Sequence, residues 1–258
     1  MKLIMNADDF GLTEGVNQAI IQCLQAGIVQ STTLMVNQPG TLDAIARMKK
    51  GECGDADVGL HITLTSGKPV LEPEKVRSLV DNNGYFLKKP ELFSRQLSEV
   101  DQEQAYQEMH AQYACALALG LEPSHIDTHH FAATIPSIKH AFIRFLNDIG
   151  LPARRVDVMT EGMRDLTVAT PDIFDMGFFD EGVSLSRLKG YLLEYQAQFT
   201  HTCVEFMCHP GLADDPLLQS LSSYSDKRFE ELQILTDPQF KLWLKQHKIT
   251  PTNFSALY

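Results

Sequence analysis

The sequence of 258 residues lacks the marks of several large protein classes. No apolar run reaches the ~20 residues that a membrane-spanning helix needs, so no membrane association is expected. Residues 1–5 lead directly into a polar motif, unlike a cleaved secretion signal. The five cysteines, Cys23, Cys53, Cys115, Cys203 and Cys208, are odd in number and contain no Cys-x-x-Cys pair. That argues against a disulfide framework or a zinc knuckle, and predicts buried free thiols in a reducing cytoplasm. Basic residues are outnumbered 22 to 33, giving a net charge of −11. An acidic chain repels phosphate backbones. The isolated pairs Lys49-Lys50, Lys88-Lys89 and Arg154-Arg155 read as solvated surface, so nucleic acid is not an expected partner. No internal repeat or low-complexity tract interrupts the chain. No G-x-G-x-x-G or P-loop follows a predicted strand, which disfavours nucleotide binding. The G-x-S-x-G elbow of serine hydrolases is also absent.

What is present is an alternation of short apolar runs with helical patterns. Hydrophobic residues make up 44% of the chain, enough for a substantial core. Strands are predicted near 2–6, 28–36, 57–64, 124–128, 154–158, 176–179 and 203–208, with one last strand in the C-terminal residues. Between them, Thr13 can cap a helix whose apolar positions Val16, Ala19, Ile20, Cys23 and Leu24 share a face, and Gly27 stops it. A helix is predicted up to residue 50, a long one within 91–119 stopped by Gly120, and others near 135–147, 184–199, 227–235 and 239–247. This alternation favours a parallel sheet with helices outside it. Seven or eight strands over this length predict an irregular α/β fold of the TIM-like (β/α) barrel type, with an open doubly wound sheet as the alternative. The expectation is one domain over 1–258.

The polar motifs follow the strands at one end. Asp8 and Asp9 come just after the first strand, His61 near the end of the third, and His125, Asp127, His129 and His130 on or after the fourth. His209 follows 203–208. Five of the nine histidines fall in these segments. In a parallel barrel such strand ends converge on one face, where active sites form. Two adjacent carboxylates repel unless a cation is present. One of the pair could ligate a divalent metal while the other acts as a base; a capped turn is the plainer alternative. In His125-x-Asp127-x-His129, alternate residues of a strand point the same way. A histidine there could ligate metal and the carboxylate could orient an imidazole. His61 alone would be an ordinary core histidine, and gains weight from its place at the same sheet end. In His209-Pro210-Gly211, proline ends the strand and leaves a rim histidine suited to general acid chemistry. A Cys208–His209 dyad is disfavoured, because strand neighbours face opposite ways.

The motifs Asn6-Ala7-Asp8-Asp9-Phe10-Gly11-Leu12, Gly59-Leu60-His61, His125-Ile126-Asp127-Thr128-His129-His130 and His209-Pro210-Gly211 resemble, in order, those of the YdjC-like carbohydrate deacetylases. The best-known members of that family act on chitooligosaccharides. The resemblance implies a (β/α) barrel and hydrolysis of the N-acetyl amide of an amino sugar such as diacetylchitobiose. It implies one divalent metal, Mg²⁺ or Zn²⁺, held by Asp9, His61 and His125, with Asp8 as general base and His209 as general acid. Asp127, His129 and Arg155 are candidate substrate-binding residues. Some members carry a histidine where this chain has Phe131, a departure that bears on the sugar subsite rather than on the metal. A homodimer is expected by the same resemblance. The segment 70–90 and the loop 177–182 could shape the sugar pocket. Phe178 and Phe179 could stack on a sugar, although adjacent phenylalanines in a strand are more often core. Two rival readings remain. A phosphoesterase could recruit Asp127, His129 and His130 for a second metal. A sugar-binding module would close a structural metal site with four ligands.

Overall fold

The computed structural model describes residues 1–155, 165–199 and 202–258. Its sheet contains β1 (Lys2–Phe10), β2 (Ser31–Leu34), β3 (Asp57–Ile62), β4 (Ile126–Thr128), β5 (Ile173–Asp175), β6 (Cys203–Cys208) and β7 (Thr250–Thr252). All these strands pair in parallel, in the order β4-β3-β2-β1-β6-β5. A parallel bridge from Ile126 to Ala153 extends the sheet one step past β4. The Ala153 N–H then donates to the Ala169 carbonyl at 3.0 Å, towards β5. The strands therefore follow chain order around a curled, incomplete barrel, as the strand–helix alternation predicts. β7 pairs with the start of β1, at Lys2–Ile4, and β2 takes over that edge from Asn6 onwards.

The helices are α1 (Glu14–Ala26), α2 (Thr41–Lys49), α3 (Lys89–Ser94), α4 (Gln102–Leu119), α5 (Pro136–Ile149), α6 (Leu185–Gln198), α7 (Pro216–Leu221), α8 (Asp226–Leu235) and α9 (Pro238–Gln246). Thr13 caps α1 by accepting the Val16 N–H at 3.1 Å, and Gly27 ends it at φ 78°. Gly120 ends α4 in the same left-handed way. Two expectations need correction. The long helix of 91–119 is broken, because Arg95 and Gln96 are extended and Asp101 starts a new helix by capping Glu103 and Gln104. The strand near 176–179 lies earlier, at β5. Beyond it the Asp175 carboxylate accepts the Gly177 N–H and turns the chain into a loop. The structure also adds the short helix α7, capped by Asp215, which is not among the predicted elements. The strand near 154–158 falls largely outside the described residues. Among the described residues no helix is long and apolar enough to cross a membrane. All five cysteines are free; Cys115 is half-buried and the others buried.

Strand alternation sorts the side chains into two environments. Leu3, Met5 and Ala7 of β1 join Val16, Ala19 and Ile20 of α1 in the main core between sheet and helices. Each fully buried side chain the size of Leu3, Met5, Val16 or Ile20 favours the fold by roughly 1.5–3 kcal/mol over exposure. The intervening residues Ile4, Asn6 and Asp8 face the other way, into the barrel. Ile4 packs with Cys203 and Phe254 in a small apolar cluster. Above it the interior is polar.

Candidate active site

The adjacent carboxylates lie within β1 rather than after it. A regular strand would turn them to opposite faces. The β1–β2 register slips between Ala7 and Phe10, and Asp9 adopts φ 70°. That irregularity lets both Asp8 and Asp9 line one cavity of about 470 Å³. Gly11 follows at φ 97°, where a Cβ would lie 2.7 Å from the Met35 carbonyl oxygen, so glycine is needed to leave the bulge.

Around Asp9 the structure assembles two imidazoles. Asp9 Oδ1 is 3.3 Å from His61 Nε2 and 2.9 Å from His129 Nδ1. It is buried and has no conventional hydrogen-bond partner. These three ligand atoms lie within 4.8 Å of one another. Asp127 Oδ1 sits 2.6 Å from His61 Nδ1 and accepts its N–H, which turns Nε2 towards Asp9. Burial opposes charge on His61, but Asp127 and the neighbouring carboxylates push its pKa up to about 10. A divalent cation at Nε2 would take the place of that proton. One carboxylate and two imidazoles, open to a cavity, fit a metal with three protein ligands.

His125 stands apart from this group, unlike in the ligand set that the family resemblance implies. Its Nε2 is 3.1 Å from Asn6 Oδ1 and 3.4 Å from Ser31 Oγ, and its Nδ1 is 2.8 Å from Ser124 Oγ. Its ring stacks on Phe254 with centroids 3.7 Å apart. Successive inward residues of a strand are separated by roughly 6.6 Å along it, so His125 lies one layer deeper than Asp127 and two below His129. Gly59 makes room for it: a Cβ there would approach the His125 ring to 2.6 Å. Burial and the Arg154 charge lower the His125 pKa well below the usual imidazole value, leaving it neutral. His129 instead joins the Asp9 cluster, at the start of a 3₁₀ turn (His129–Thr134) in which His130 and Phe131 have φ of 56° and 55°. Asp127 is likewise buried behind His61 and does not line the cavity.

Of the arginine pair it is Arg154 that reaches these carboxylates, and it is buried where the sequence predicts solvated surface. Arg154 is 2% exposed and donates to both Asp8 oxygens at 2.7 Å and to Glu205 Oε1 at 2.7 Å. Its Nη1 also lies 3.0 Å from Asp127 Oδ2. Arg155 points its Nη1 at the Asp172 carbonyl, 2.5 Å away. Burial works against the Asp8 carboxylate, but Arg154 overcomes it and holds that carboxyl well below the usual range. Burial wins at Glu205, whose pKa is pushed up to about 7 despite the same guanidinium. Asp8, His61 and Asp127 form a second group of convergent ligand atoms. Arg154 spans its two carboxylates, so a cation already fills the place a second metal would need.

The remaining wall comes from the C-terminal elements, of which the sequence motifs marked only His209. Arg228 of α8 is 3% exposed and donates to Asp9 Oδ2 at 2.6 Å, across 219 residues of chain. That bond leaves Oδ1 for the two histidines. His209 lines the cavity with Nε2 3.8 Å from Asp8 Oδ2. Burial, aided by the Arg228 and Arg154 charges, lowers its pKa to about 4. Its backbone N–H donates to the buried Glu231, which also accepts the Tyr224 hydroxyl. Lys88 and Lys89 are exposed, as read from the sequence, and also line the cavity, as does Phe131.

Residues 2–246 match the family model described as YdjC-like protein. A carbohydrate deacetylase of Thermoanaerobacter pseudethanolicus is 38% identical over 99% of this chain and 98% of its own length. One from Vibrio parahaemolyticus is 37% identical, covering 100% of this chain and 96% of its own. Among solved structures, a proposed cellobiose-phosphate cleavage protein from Enterococcus faecalis superposes with a TM-score of 0.88. It is 32% identical and covers 99% of this chain and 98% of its own. By sequence over nearly its whole length, and by fold, the chain belongs to the YdjC-like protein family.

Proposed function

We propose that this chain is a metal-dependent carbohydrate deacetylase that hydrolyses the N-acetyl amide of an amino sugar, with a chitooligosaccharide such as N,N′-diacetylchitobiose as substrate. The observation that carries the reading is the convergence of Asp9 Oδ1, His61 Nε2 and His129 Nδ1 beside a second, ionised carboxylate in one cavity. The relatives named carbohydrate deacetylase support removal of an acetyl group from a carbohydrate.

Asp9, His61 and His129 are the ligands in this reading. The donor set suits zinc by softness; magnesium, which prefers oxygen ligands, is the alternative. When bound, the ion polarises the acetyl carbonyl and makes water a stronger acid. Asp8, kept ionised and fixed in direction by the two-point bond from Arg154, takes the proton of the attacking water. His209, neutral at rest, stands across 3.8 Å from Asp8 and passes that proton to the departing amine. Acetate and a free amino sugar result. Asp127 keeps His61 oriented, and Arg228 keeps Asp9 oriented.

The test is acetate release from N,N′-diacetylchitobiose by protein stripped of metal and by protein reloaded with zinc, cobalt or magnesium. Metal-dependent release is expected, and Asp8→Asn should abolish it without loss of bound metal. Tight binding of one metal per chain without release from any N-acetylated sugar would overturn the substrate assignment.

A further inference from the structure

Phe178 and Phe179 separate at the cavity. Phe178 is fully buried, whereas Phe179 is 38% exposed and lines the cavity wall. One face of Phe179 lies on Tyr224, with ring centroids 4.4 Å apart and planes at 22°. His209 meets both rings edge-on, at 5.4 and 5.8 Å. The exposed part of Phe179 therefore opens into the cavity, about one ring's width from His209.

This wall is tied down from three directions. The Tyr224 hydroxyl accepts the Asp180 N–H at 3.2 Å and donates to Glu231, the carboxylate that also holds the His209 backbone. The loop carrying Phe179 closes on itself: a Cβ at Gly182 would collide with the Gly177 carbonyl. Asp175, at the loop's start, accepts both the Gly177 N–H and the Tyr195 hydroxyl. Met176 and Leu221 continue the apolar surface along the same cavity, 42% and 41% exposed. A large aromatic surface held open to water at a fixed place beside a proton-transfer group is the arrangement expected of a ligand platform.

We propose that the Phe179–Tyr224 stack is the platform for the pyranose ring that carries the acetamide, and that Phe179 is its contact residue. The proposal rests on the deacetylase reading of the same site. A pyranose chair presents axial C–H groups on its faces and hydroxyls around its rim. The face seeks the negative face of an aromatic ring, and the rim seeks polar partners. The nitrogen to be protonated must reach His209, and the ring bearing that nitrogen then lies against Phe179.

Two measurements test this. Phe179→Ala should raise KM for N,N′-diacetylchitobiose about tenfold, while kcat changes less than about twofold. Phe179→Tyr, which restores a ring, should bring KM back to the wild-type value. Separately, Phe179→Trp places a fluorophore on the platform. The chain's one native tryptophan, Trp243, does not line the cavity and serves as background in the wild type. Titration of the Phe179→Trp protein with N,N′-diacetylchitobiose should shift or quench the added emission saturably. Acetate release with an unchanged KM in Phe179→Ala, together with a silent fluorophore in Phe179→Trp, would overturn the platform and leave the deacetylase standing. A saturable fluorescence response without acetate release would uphold the platform and overturn the deacetylase. If Phe179→Ala fails to fold, the emission titration alone decides: silence overturns the platform and saturable change supports it.

Discussion

His125 and His129 stand four residues apart on one motif, and the barrel gives them different chemistry. His129 sits beside Asp9 at the cavity, where its Nδ1 and His61 Nε2 converge on a carboxylate oxygen that lacks a conventional hydrogen bond. His125 lies deeper, between Asn6, Ser31 and Ser124, and its ring is covered by Phe254. The upper layer leaves donor atoms unsatisfied and open to a ligand. The lower layer spends the same atoms on neighbouring hydroxyls and an amide. Depth thus decides whether a histidine of a strand motif faces the cavity or the core, since a buried imidazole is costly unless its nitrogens find partners.

The largest test of that contrast is the pair His129→Ala and His125→Ala. The first should bind less than about a tenth of the wild-type metal and lose at least ~10³-fold in activity. The second should keep one metal per chain, as measured by elemental analysis, and lose thermal stability instead. Equal loss of metal in both would erase the distinction between the layers. His61→Ala should follow His129→Ala. Next in size are the two proton-transfer groups of the upper layer. Asp8→Asn and His209→Ala should retain metal and each lower kcat by ~10²–10⁴-fold. Full activity in either would remove that residue from the assignment.

Arg154→Met probes how the upper layer is held together. It leaves Asp8, Asp127 and Glu205 buried around a missing cation. It should cost about 3–5 kcal/mol of stability, read from denaturant unfolding. A loss below about 1 kcal/mol would mean that the three carboxylates find other compensation. The smallest effect concerns pH. Burial raises the Glu231 pKa from its ordinary 4.5 to about 8. The folded state therefore holds a proton that the unfolded state releases between those values. That contribution is fully present below about pH 4.5 and is lost as pH rises through 8. Relative to Glu231→Gln, which keeps an acceptor for the His209 N–H, the wild type should lose up to about 1.4 kcal/mol of stability per pH unit between pH 5 and 8. Parallel stability curves for the two proteins would show that Glu231 is already ionised when folded.

Much of this was legible in the residues. Alternating strand and helix patterns predicted the parallel barrel-like sheet, and Thr13, Gly27 and Gly120 marked helix ends that the structure keeps. The motifs placed Asp8, Asp9, His61, His125, Asp127, His129, His130 and His209 at one end of the sheet, and all of these but His125 and Asp127 line one cavity. Other features were not legible. Asp8 and Asp9 read as following the first strand, because nothing local announces that the strand continues through them with a bulge. Arg154 and Arg155 are indistinguishable as a dipeptide, and only the bridge at Ala153 decides which one enters the barrel.

The sequence by itself determined the local matters: which segments alternate with period 2 or 3.6, where helices cap and stop, and which motifs carry carboxylates and imidazoles. Those follow from backbone geometry and side-chain chemistry within a few residues. The tertiary structure alone decided depth and partnership. It placed His125 under Phe254, gave Asp8 to Arg154 across 146 residues, and brought Arg228 to Asp9 across 219. Such pairings arise because a buried charge or ring nitrogen must be satisfied by whatever the closed barrel sets beside it, and that neighbour lies far away in the chain.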